Sequence, residues 1–309
     1  MGIEQELANF APSKETIITI GVFDGVHLGH RYLLENVKRQ AQEKRLLSAV
    51  VTFNNHPQSV LRPDGGSPWL DDVEEKVRLL CETDIDLVAV ISFTLELAQL
   101  RAREFISLLK KHLKMHKLVV GPDFALGRDR EGDIDLLRSL GQEMNFDVEA
   151  IAPVTIGGEI ISSTLIRQAL AQGDMTKVEK LMGRHFYLIG KVIAADQRGR
   201  ALGFPTANLD MPPQQALPDN GVYATIAQVD GRNFASATNI GTRPTFGNNK
   251  KTVETHLLNY EGNLYGKRIK VEFIQKLREE QNFASPEELK TQIGKDIRQM
   301  EIVLSREFR

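Results

Sequence analysis

Two histidines beside a glycine-rich turn are the residues of this chain best suited to phosphate chemistry. Residues 21–30 read G-V-F-D-G-V-H-L-G-H; they follow the β-branched run Thr16–Ile20, and a helical pattern begins at Leu28. A strand followed by glycines and a helix start predicts an anion site, because unpaired N–H groups and the positive end of the helix dipole meet there. His27 and His30 are three residues apart, which places two further donors on one helical face.

Two other interpretations of these histidines stay open from the residues alone. They are ordinary, partly exposed side chains if Asp24 simply caps the helix. They bind a metal ion if a third ligand completes the site, although neither a cysteine nor an obvious third ligand lies nearby. The glycine turn favours the phosphate interpretation over both.

The length indicates two domains, and the charge balance is compatible with a small anionic ligand. The chain has 309 residues, which at roughly 150 residues a domain makes two. With 39 Lys+Arg against 41 Asp+Glu, the charge balance indicates neither nucleic acid nor a membrane as a partner. The single cysteine, Cys81, excludes an internal disulfide and is predicted to be buried on a helix. Residues 1–16 lack an apolar signal segment and no apolar run approaches the ~20 residues of a membrane span, so we expect a cytoplasmic protein.

Strands and helices alternate over the first half of the chain. Strands are predicted at Thr16–Ile20, Leu47–Phe53, Asp86–Ile91, Lys117–Gly121 and Phe146–Ala152, with helices between them. This order predicts an α/β domain with a mostly parallel, doubly wound sheet. Its ligand is expected at the carboxyl ends of the strands.

From about Phe186 the alternation of strands and helices gives way to short strand-like runs separated by Gly, Pro and Asn. They predict a small antiparallel β-barrel with strands at Tyr187–Ala194, Gly221–Asp230, Asn233–Ile240, Thr252–Asn259 and Ile269–Leu277. Two short helices, Ser163–Ala171 and Met175–Met182, bridge the halves, and a boundary near Gly183 gives domains 1–183 and 184–309. Ser285, followed by a proline and two glutamates, predicts a C-terminal helix.

Three further segments of the first half carry polar groups after predicted strands. In T-F-N-N-H-P (52–57), His56 is held extended by the proline that follows and either faces the ligand or lies in a surface loop. Residues 120–132, V-G-P-D-F-A-L-G-R-D-R-E-G, form either one wall of the ligand site or a charged turn. In I-S-S-T-L-I-R (161–167), the hydroxyls and Arg167 form either a helix cap or a triphosphate clamp.

Two segments of the second half place polar side chains on one face of a strand. In G-R-A-L-G-F-P-T-A-N (199–208), Thr206 and Asn208 share one strand face and their oxygens can bind magnesium, unless P-T-A-N is only an edge-strand turn. In V-E-T-H-L-L-N (253–259), strand alternation places Glu254 and His256 on one face. A strand glutamate is more often merely solvated.

Taken together, these motifs resemble a known enzyme family. The H-x-G-H element is similar to that of the nucleotidyltransferase superfamily, and its longer form, G-x-F-D-G-x-H-x-G-H, resembles the adenylyltransferase module of the bacterial bifunctional riboflavin kinases/FAD synthetases. The I-S-S-T-x-I-R, G-x-P-T-A-N and E-T-H elements match the same family in order, over about residues 14 to 300. Asn55, Leu126 and Ala195 depart from the family pattern, where a proline, an aromatic residue and a glycine are usual.

The resemblance implies two activities on a Rossmann-like nucleotidyltransferase domain and a β-barrel kinase domain. The second domain would phosphorylate riboflavin with MgATP to FMN, and the first would transfer AMP from ATP to FMN, giving FAD and pyrophosphate. His27 and His30 would stabilise the leaving pyrophosphate, and Glu254 would be the general base of the kinase. Riboflavin, FMN and ATP are the implied small-molecule substrates, Mg²⁺ is the implied cofactor, and the oligomeric state is left open.

The resemblance also assigns binding residues to each site. The phosphate-binding residues of the adenylyltransferase site are Gly21, Phe23, Asp24, Gly25, His27, Gly29, His30, Ser162, Ser163, Thr164 and Arg167. The flavin there is expected at Phe53, His56, Pro57, Asp123, Phe124 and Arg128. In the kinase site, ATP or flavin is expected at Gly199, Arg200, Gly203, Pro205, Asn239, Gly241, Arg243 and Arg278, and the metal at Thr206 and Asn208.

Two other classes of protein compete with this interpretation. The H-x-G-H element also resembles class I aminoacyl-tRNA synthetases, but the chain has no K-M-S-K-S-like motif and no basic anticodon-binding domain. A flavin-binding regulator with decayed sites is the second competitor. Against it stands the presence of Glu254, Thr206, Asn208 and both histidines.

Overall fold

A computed structural model describes residues 2–61, 66–194, 203–245 and 248–305, with the backbone alone for 243–245 and 248–250. The chain forms two compact units, Met1–Ser163 and Thr164–Arg309. Within the described ranges, no helix combines the length and the apolar character that a membrane crossing requires.

The first unit is built on a five-stranded parallel sheet. Its strands lie in the order β3-β2-β1-β4-β5. They are β1 (Thr16–Ile20), β2 (Leu47–Phe53), β3 (Leu87–Ile91), β4 (Met115–Val120) and β5 (Asp147–Ala150). All five were predicted, with ends that differ by a few residues at most. Because the chain moves outward from β1 to β3 and then returns to the other side of β1 at β4, the crevice for a ligand opens at the carboxyl ends of β1 and β4.

Helices cover both faces of this sheet. They are α1 (Ile3–Ala8), α2 (Leu28–Lys44), α3 (Pro57–Leu61), α4 (Val73–Cys81), α5 (Leu95–Gln99), α6 (Ala102–Leu113) and α7 (Ile134–Met144). Successive side chains of β1 lie on opposite faces of the sheet. Ile17 packs with α2 and α4, whereas Ile18 packs with α6 and α7. A hairpin, β6 (Thr155–Ile156) and β7 (Glu159–Ile160), follows β5. The sheet is therefore the doubly wound type that the alternation predicts.

The prediction that Cys81 is buried was wrong. Cys81 is exposed at the last position of α4. The buried face of that helix carries Lys76, Leu79 and Leu80. Each residue advances about 100° around a helix, so the position after Leu80 turns away from the core.

The second unit contains a closed antiparallel barrel. Helices α8 (Ser163–Ala171) and α9 (Met175–Met182) come before it in the chain, and α10 (Pro286–Leu304) follows it. The strands are β8 (Phe186–Ile193), β9 (Ala207–Asp210), β10 (Gly221–Val229), β11 (Arg232–Thr245), β12 (Asn248–Leu257) and β13 (Arg268–Arg278), in the order β10-β11-β12-β9-β8-β13. The predicted barrel and the predicted C-terminal helix are confirmed, and Ser285 caps α10 by accepting the N–H of Glu288 at 3.2 Å.

The interior of the barrel is filled by its own side chains. Four fully buried hydroxyl residues form a hydrogen-bonded group in which Thr225 lies 2.8 Å from both Ser236 and Thr238, and Thr238 lies 3.0 Å from Thr255. On the outside, α10 packs Met300 and Leu304 against β10. Because the inner polar groups satisfy one another, the outer face and the rim are the places where this barrel can bind a substrate.

The packing of α8 and α9 leads to a prediction about where the second unit can be cut. Helix α9 packs against β8 and β13 and buries Met175, Val178, Leu181 and Met182, while Leu170 accepts the N–H of Asp219 at 2.9 Å. Burial of four such side chains contributes at most on the order of 6–12 kcal/mol to the free energy of unfolding. This is comparable to the whole free energy of unfolding of a typical domain, ~5–15 kcal/mol. We expect fragment 164–309 to fold and fragment 184–309 to be far less stable.

Urea denaturation followed by circular dichroism compares the two fragments. Equal midpoints would show that α8 and α9 are dispensable and would favour the domain boundary at Gly183, which stays a prediction. A large deficit of fragment 184–309 would show that residues 164–183, which carry α8 and α9, belong to the folding unit of the barrel.

Candidate active sites

The turn between β1 and α2 has an unusual backbone conformation. Phe23, Gly25 and Val26 have φ angles of 52°, 85° and 33°. A positive φ at a β-branched residue costs about 1–3 kcal/mol and persists only where the surrounding structure imposes it. Gly25 is further constrained because a Cβ there would lie 2.7 Å from the Leu70 side chain. The turn is therefore held in a conformation that it would not adopt alone.

Asp24 anchors this turn to neighbouring segments. The carboxylate is almost fully buried, and its Oδ1 accepts the N–H groups of Leu70 at 2.9 Å and Asp71 at 3.4 Å. Its backbone carbonyl accepts the hydroxyl of Ser163 at 2.8 Å. These bonds give both residues a structural task, and their contact with phosphate stays a prediction.

The two histidines lie together directly after the turn. Their rings stack with centroids 3.6 Å apart and planes 17° apart. His27 is the N-cap of α2, and its Nδ1 accepts the N–H of His30 at 3.3 Å. With Nδ1 as the acceptor, the neutral His27 ring carries its proton on Nε2. The buried ring of Phe23 packs against His30 at 5.0 Å.

The environment keeps His30 neutral in the absence of a ligand. Burial, followed by the proximity of His27 and of the Lys76 ammonium, holds the pKa of His30 well below 6.5. Its Nδ1 is buried without a hydrogen-bond partner among the described residues. A neutral His30 imidazole at a helix N-terminus is ready to interact with incoming negative charge.

A cleft of about 600 Å³ opens beside the turn, at the carboxyl ends of the strands. Its walls include five of the six residues predicted to bind the flavin: Phe53, His56, Pro57, Asp123 and Phe124. Arg128, the sixth, is absent from the described lining and approaches its neighbour Asp129 at 3.4 Å. Arg130 lines the cleft instead and donates to the Asp123 carbonyl at 3.0 Å. Arg130 belongs to the segment predicted to form a wall of the site, but only Arg128 was assigned to the flavin.

Two departures from the family pattern have structural roles at this cleft. The Asn55 amide pairs with the backbone of Phe93, accepting its N–H and donating to its carbonyl, both at 2.8 Å. This pair joins the loops that follow β2 and β3. Leu126 is buried in the cleft wall and exchanges backbone hydrogen bonds with Gly132 at 3.1 and 2.9 Å. The third departure, Ala195, lies outside the described residues.

The second candidate site is a row of polar residues across the outer face of the barrel. Glu254 on β12 lies in register with Asn208 on β9 and with Asn239 on β11. The residues on either side of Glu254, Val253 and Thr255, are buried, so the row faces outward. The barrel register therefore brings together three residues that the sequence separates by up to 46 positions.

A second cleft, of about 590 Å³, lies next to this row. Pro205, Thr206 and Ala207 line it together with the apolar and aromatic side chains of Leu257, Tyr260, Leu264 and Tyr265. His256 supports the segment that enters β9, because its Nδ1 donates to the Pro205 carbonyl at 2.8 Å and its ring meets Phe204 edge to face at 5.6 Å. The histidine of the E-T-H element thus fixes the P-T-A-N segment in place.

Arg278 has a partner within the protein. Its guanidinium pairs with the buried carboxylate of Asp296 on α10, with Nε at 3.0 and 3.1 Å and Nη2 at 2.8 Å. Arg278 lies opposite Val222 on β10, and Val222 in turn lies opposite Asn239 on β11. Arg278 is therefore two strands away from Asn239 along the same row. This pairing locks α10 to the barrel, and a contact between Arg278 and substrate stays a prediction.

Glu280 is a carboxylate of this site that sequence analysis missed. A Cβ on Gly241 would lie 2.4 Å from its Oε1, which explains the glycine at that position. Asn220 donates to the other carboxylate oxygen at 3.0 Å. The only sequence signal for Glu280 was its position two residues after Arg278, which the resemblance assigns to the kinase site.

Several predicted residues receive no further support from the geometry. Gly199 and Arg200, with the loop around them, and the side chain of Arg243 lie outside what the structure describes. Gly203 is exposed with a φ of 89°. Ser162 precedes α8, Thr164 is exposed near its start, and Arg167 is partly buried one turn further along. Their roles in phosphate binding stay predictions.

Lys76 is a buried charged residue that none of the motifs indicates. The pattern V-E-E-K-V-R-L-L places it on the apolar face of α4, three residues after Val73 and three before Leu79. It is 6% exposed, and its Nζ donates to the carbonyl of Phe53 at 2.6 Å. A lysine on an apolar helical face was therefore a signal that could have been used.

Comparisons with known proteins match both halves of the chain. The FAD synthetase family matches residues 10–165 and the riboflavin kinase family matches residues 182–304. The bifunctional riboflavin kinase/FMN adenylyltransferase of Escherichia coli strain K12 is 41% identical over 93% of this chain and 92% of its own length. That of Pseudomonas fluorescens is 39% identical over 96% of both chains.

A solved structure extends the similarity to three dimensions. The crystal structure described as a macrolide-efflux protein from Streptococcus pneumoniae has a TM-score of 0.86 at 26% identity and covers 94% of this chain and 95% of its own. The family matches and the long relatives decide the classification: this chain belongs to the family of bifunctional riboflavin kinases/FMN adenylyltransferases.

Proposed function

We propose that the protein makes FAD from riboflavin in two steps on two sites. The barrel unit phosphorylates riboflavin with ATP to give FMN. The α/β unit transfers AMP from a second ATP to FMN and releases pyrophosphate. The observation that carries the proposal is the assembly of each predicted set of residues: the stacked His27–His30 pair beside its cleft, and the outward row of Asn208, Glu254 and Asn239.

In adenylyl transfer, a phosphate oxygen of FMN attacks the α-phosphorus of ATP, and the bond to the β-phosphate oxygen breaks. Negative charge develops on the departing pyrophosphate. The histidine pair and the N-terminus of α2 supply fixed donors for that charge. FMN already carries its nucleophile, so the protein need only align the two substrates and no covalent enzyme intermediate is required. The cleft lined by Phe53, His56 and Phe124 is proposed to hold the flavin ring.

In the kinase reaction, Glu254 takes the proton of the riboflavin ribityl hydroxyl as that oxygen attacks the γ-phosphorus of ATP. The phosphorus–oxygen bond to ADP breaks at the same centre. Asn239 lies beside Glu254 on the adjacent strand and is placed to orient the hydroxyl. The cleft next to Pro205 and Thr206 offers apolar and aromatic walls for the nucleotide base.

The residues near Glu254 suit a magnesium ion. Among the side chains that the structure describes, no three His, Cys, Asp or Glu residues cluster as a metal site. Mg²⁺, however, is usually held by one or two protein oxygens together with phosphates and water. Thr206 and Asn208 offer a hydroxyl and an amide oxygen on the same outward side of their segment. Asn208 lies opposite Glu254 in the barrel sheet. Thr206 and Asn208 would hold Mg²⁺, and the ion would supply positive charge to the phosphates.

The single cysteine fits a reducing compartment and supports a cytoplasmic location as part of this proposal. The near-neutral charge balance gives no reason to propose a nucleic-acid or membrane partner.

Incubation of the protein with riboflavin and MgATP, followed by chromatography of the flavins, tests both activities at once. We expect riboflavin to disappear, FMN to rise first and FAD to follow. FMN without FAD would refute the adenylyltransferase assignment. Binding of flavin without any conversion would identify a regulator with decayed sites.

A further inference from the structure

Lys76 is buried in a position where an apolar residue would be expected. It shares the inner face of α4 with Leu79 and Leu80, which lie in the core between α2 and the sheet. Burying an ammonium costs free energy unless it is paired and hydrogen-bonded. Stability alone gives no reason for a lysine here, because an apolar side chain of similar length would fill the same space.

The contacts of Lys76 connect the elements that carry the adenylyltransferase site. Its Nζ donates to the carbonyl of Phe53, the last residue of β2, and the carboxylates of Asp24 and Asp71 act on its charge. Asp24 is the anchor of the histidine turn, and Phe53 lines the flavin cleft. Lys76, both carboxylates and His56 also line one small cavity of about 20 Å³. The ammonium is therefore hydrogen-bonded to the end of β2 and attracted by one carboxylate of the turn and one of the segment before α4.

The charge of Lys76 also reaches the histidine pair. Burial lowers the pKa of Lys76 to about 8, while Asp24 and Asp71 oppose that change. The ammonium is one of the causes that keep the pKa of His30 low. The titratable groups around Lys76 are thus Asp24 on the turn, His30 on α2, His56 before α3 and Asp71 before α4.

We propose that Lys76 is a positioning residue of the adenylyltransferase site, whose ammonium holds the histidine turn against the end of β2. The inference rests on the proposed function. Loss of the ammonium proton should loosen the turn and lower the rate of FAD formation. The pKa of about 8 places this loss at moderately alkaline pH. Riboflavin phosphorylation, performed in the other unit, should not follow the same profile.

The test compares the wild-type chain with Lys76→Met, Lys76→Arg and the control Lys44→Met, whose lysine meets Asp147 at the surface. The kcat and KM for FMN adenylylation are measured from about pH 6.5 to 9.5, with riboflavin phosphorylation measured on each preparation. We expect Lys76→Met to lower kcat by about 10²-fold through misplacement of the turn, with little change in KM. The wild type should lose FAD formation above about pH 8, and Lys76→Arg, which stays charged, should not.

A second variant keeps the proposal testable if Lys76→Met does not fold. Asp71→Asn removes a charge that raises the pKa of Lys76, so the alkaline loss should begin at lower pH than in the wild type. Unchanged profiles in Lys76→Arg and Asp71→Asn would overturn the inference, as would a Lys76→Met protein that loses stability but keeps its kcat. A wild-type protein that makes FMN but no FAD would overturn the proposed adenylyltransferase itself, which is a different failure.

Discussion

FMN is expected to accumulate, and FAD to be absent, when the double variant His27→Ala/His30→Ala is supplied with riboflavin and MgATP. Removal of one oriented donor to a developing charge typically lowers a rate by ~10²–10³-fold, and both donors are lost here. Because the stacked rings act together at the start of α2, the fall in rate of the double variant need not equal the product of the two single effects. Riboflavin phosphorylation should remain, because Glu254 and its row lie in the other unit.

A single variant separates the chemical role of His27 from its structural one. His27 caps α2 through Nδ1, and loss of a cap costs about 0.5–2 kcal/mol. His27→Asn supplies another capping acceptor but removes the imidazole Nε2. The surface control is His116→Ala, whose ring is paired with Glu15 at 3.4 Å. FAD formation by His27→Asn at the wild-type rate would show that the imidazole serves only as a cap.

The α/β sheet and the barrel could be predicted because their signals are local. Thr16–Ile20 is a continuous β-branched run, and Ser285 with the following proline marks a helix start; both elements formed as predicted. The short helices α1, α3 and α5 were missed. Each is five or six residues long and is stabilised by packing, as when Leu7 of α1 is buried next to α6, so the sequence carries little periodic signal there.

The sites were predictable only as separate motifs. Strand alternation placed Glu254 on one face of its strand, but the registers that set Asn208 and Asn239 beside it depend on barrel closure. The pairing of Arg278 with Asp296 and the burial of Lys76 beside Asp24 likewise depend on tertiary packing. Residue types and spacing can suggest a chemistry. Whether a given side chain binds a ligand or supports a neighbouring residue depends on contacts between segments that are distant in the sequence.

Glu254→Gln should abolish conversion of riboflavin to FMN and leave conversion of supplied FMN to FAD unchanged. The amide keeps the size and reach of the carboxylate but cannot accept the hydroxyl proton, and loss of a general base typically costs ~10²–10⁴-fold in rate. Glu254 lies on the outer face of β12 without being part of the buried core, so the substitution should leave the barrel folded.

Glu272→Gln is the matched control for that experiment. Glu272 is also a partly exposed strand glutamate of the barrel, but it lies on β13 and pairs with Lys270 at 2.6 Å, away from the Asn208–Glu254–Asn239 row. Both conversions are measured on the same preparation of each variant. Unimpaired phosphorylation by Glu254→Gln would remove Glu254 as the base. Parallel loss of both activities in Glu254→Gln, with Glu272→Gln normal, would contradict two separate sites and point to a single site shared by both reactions.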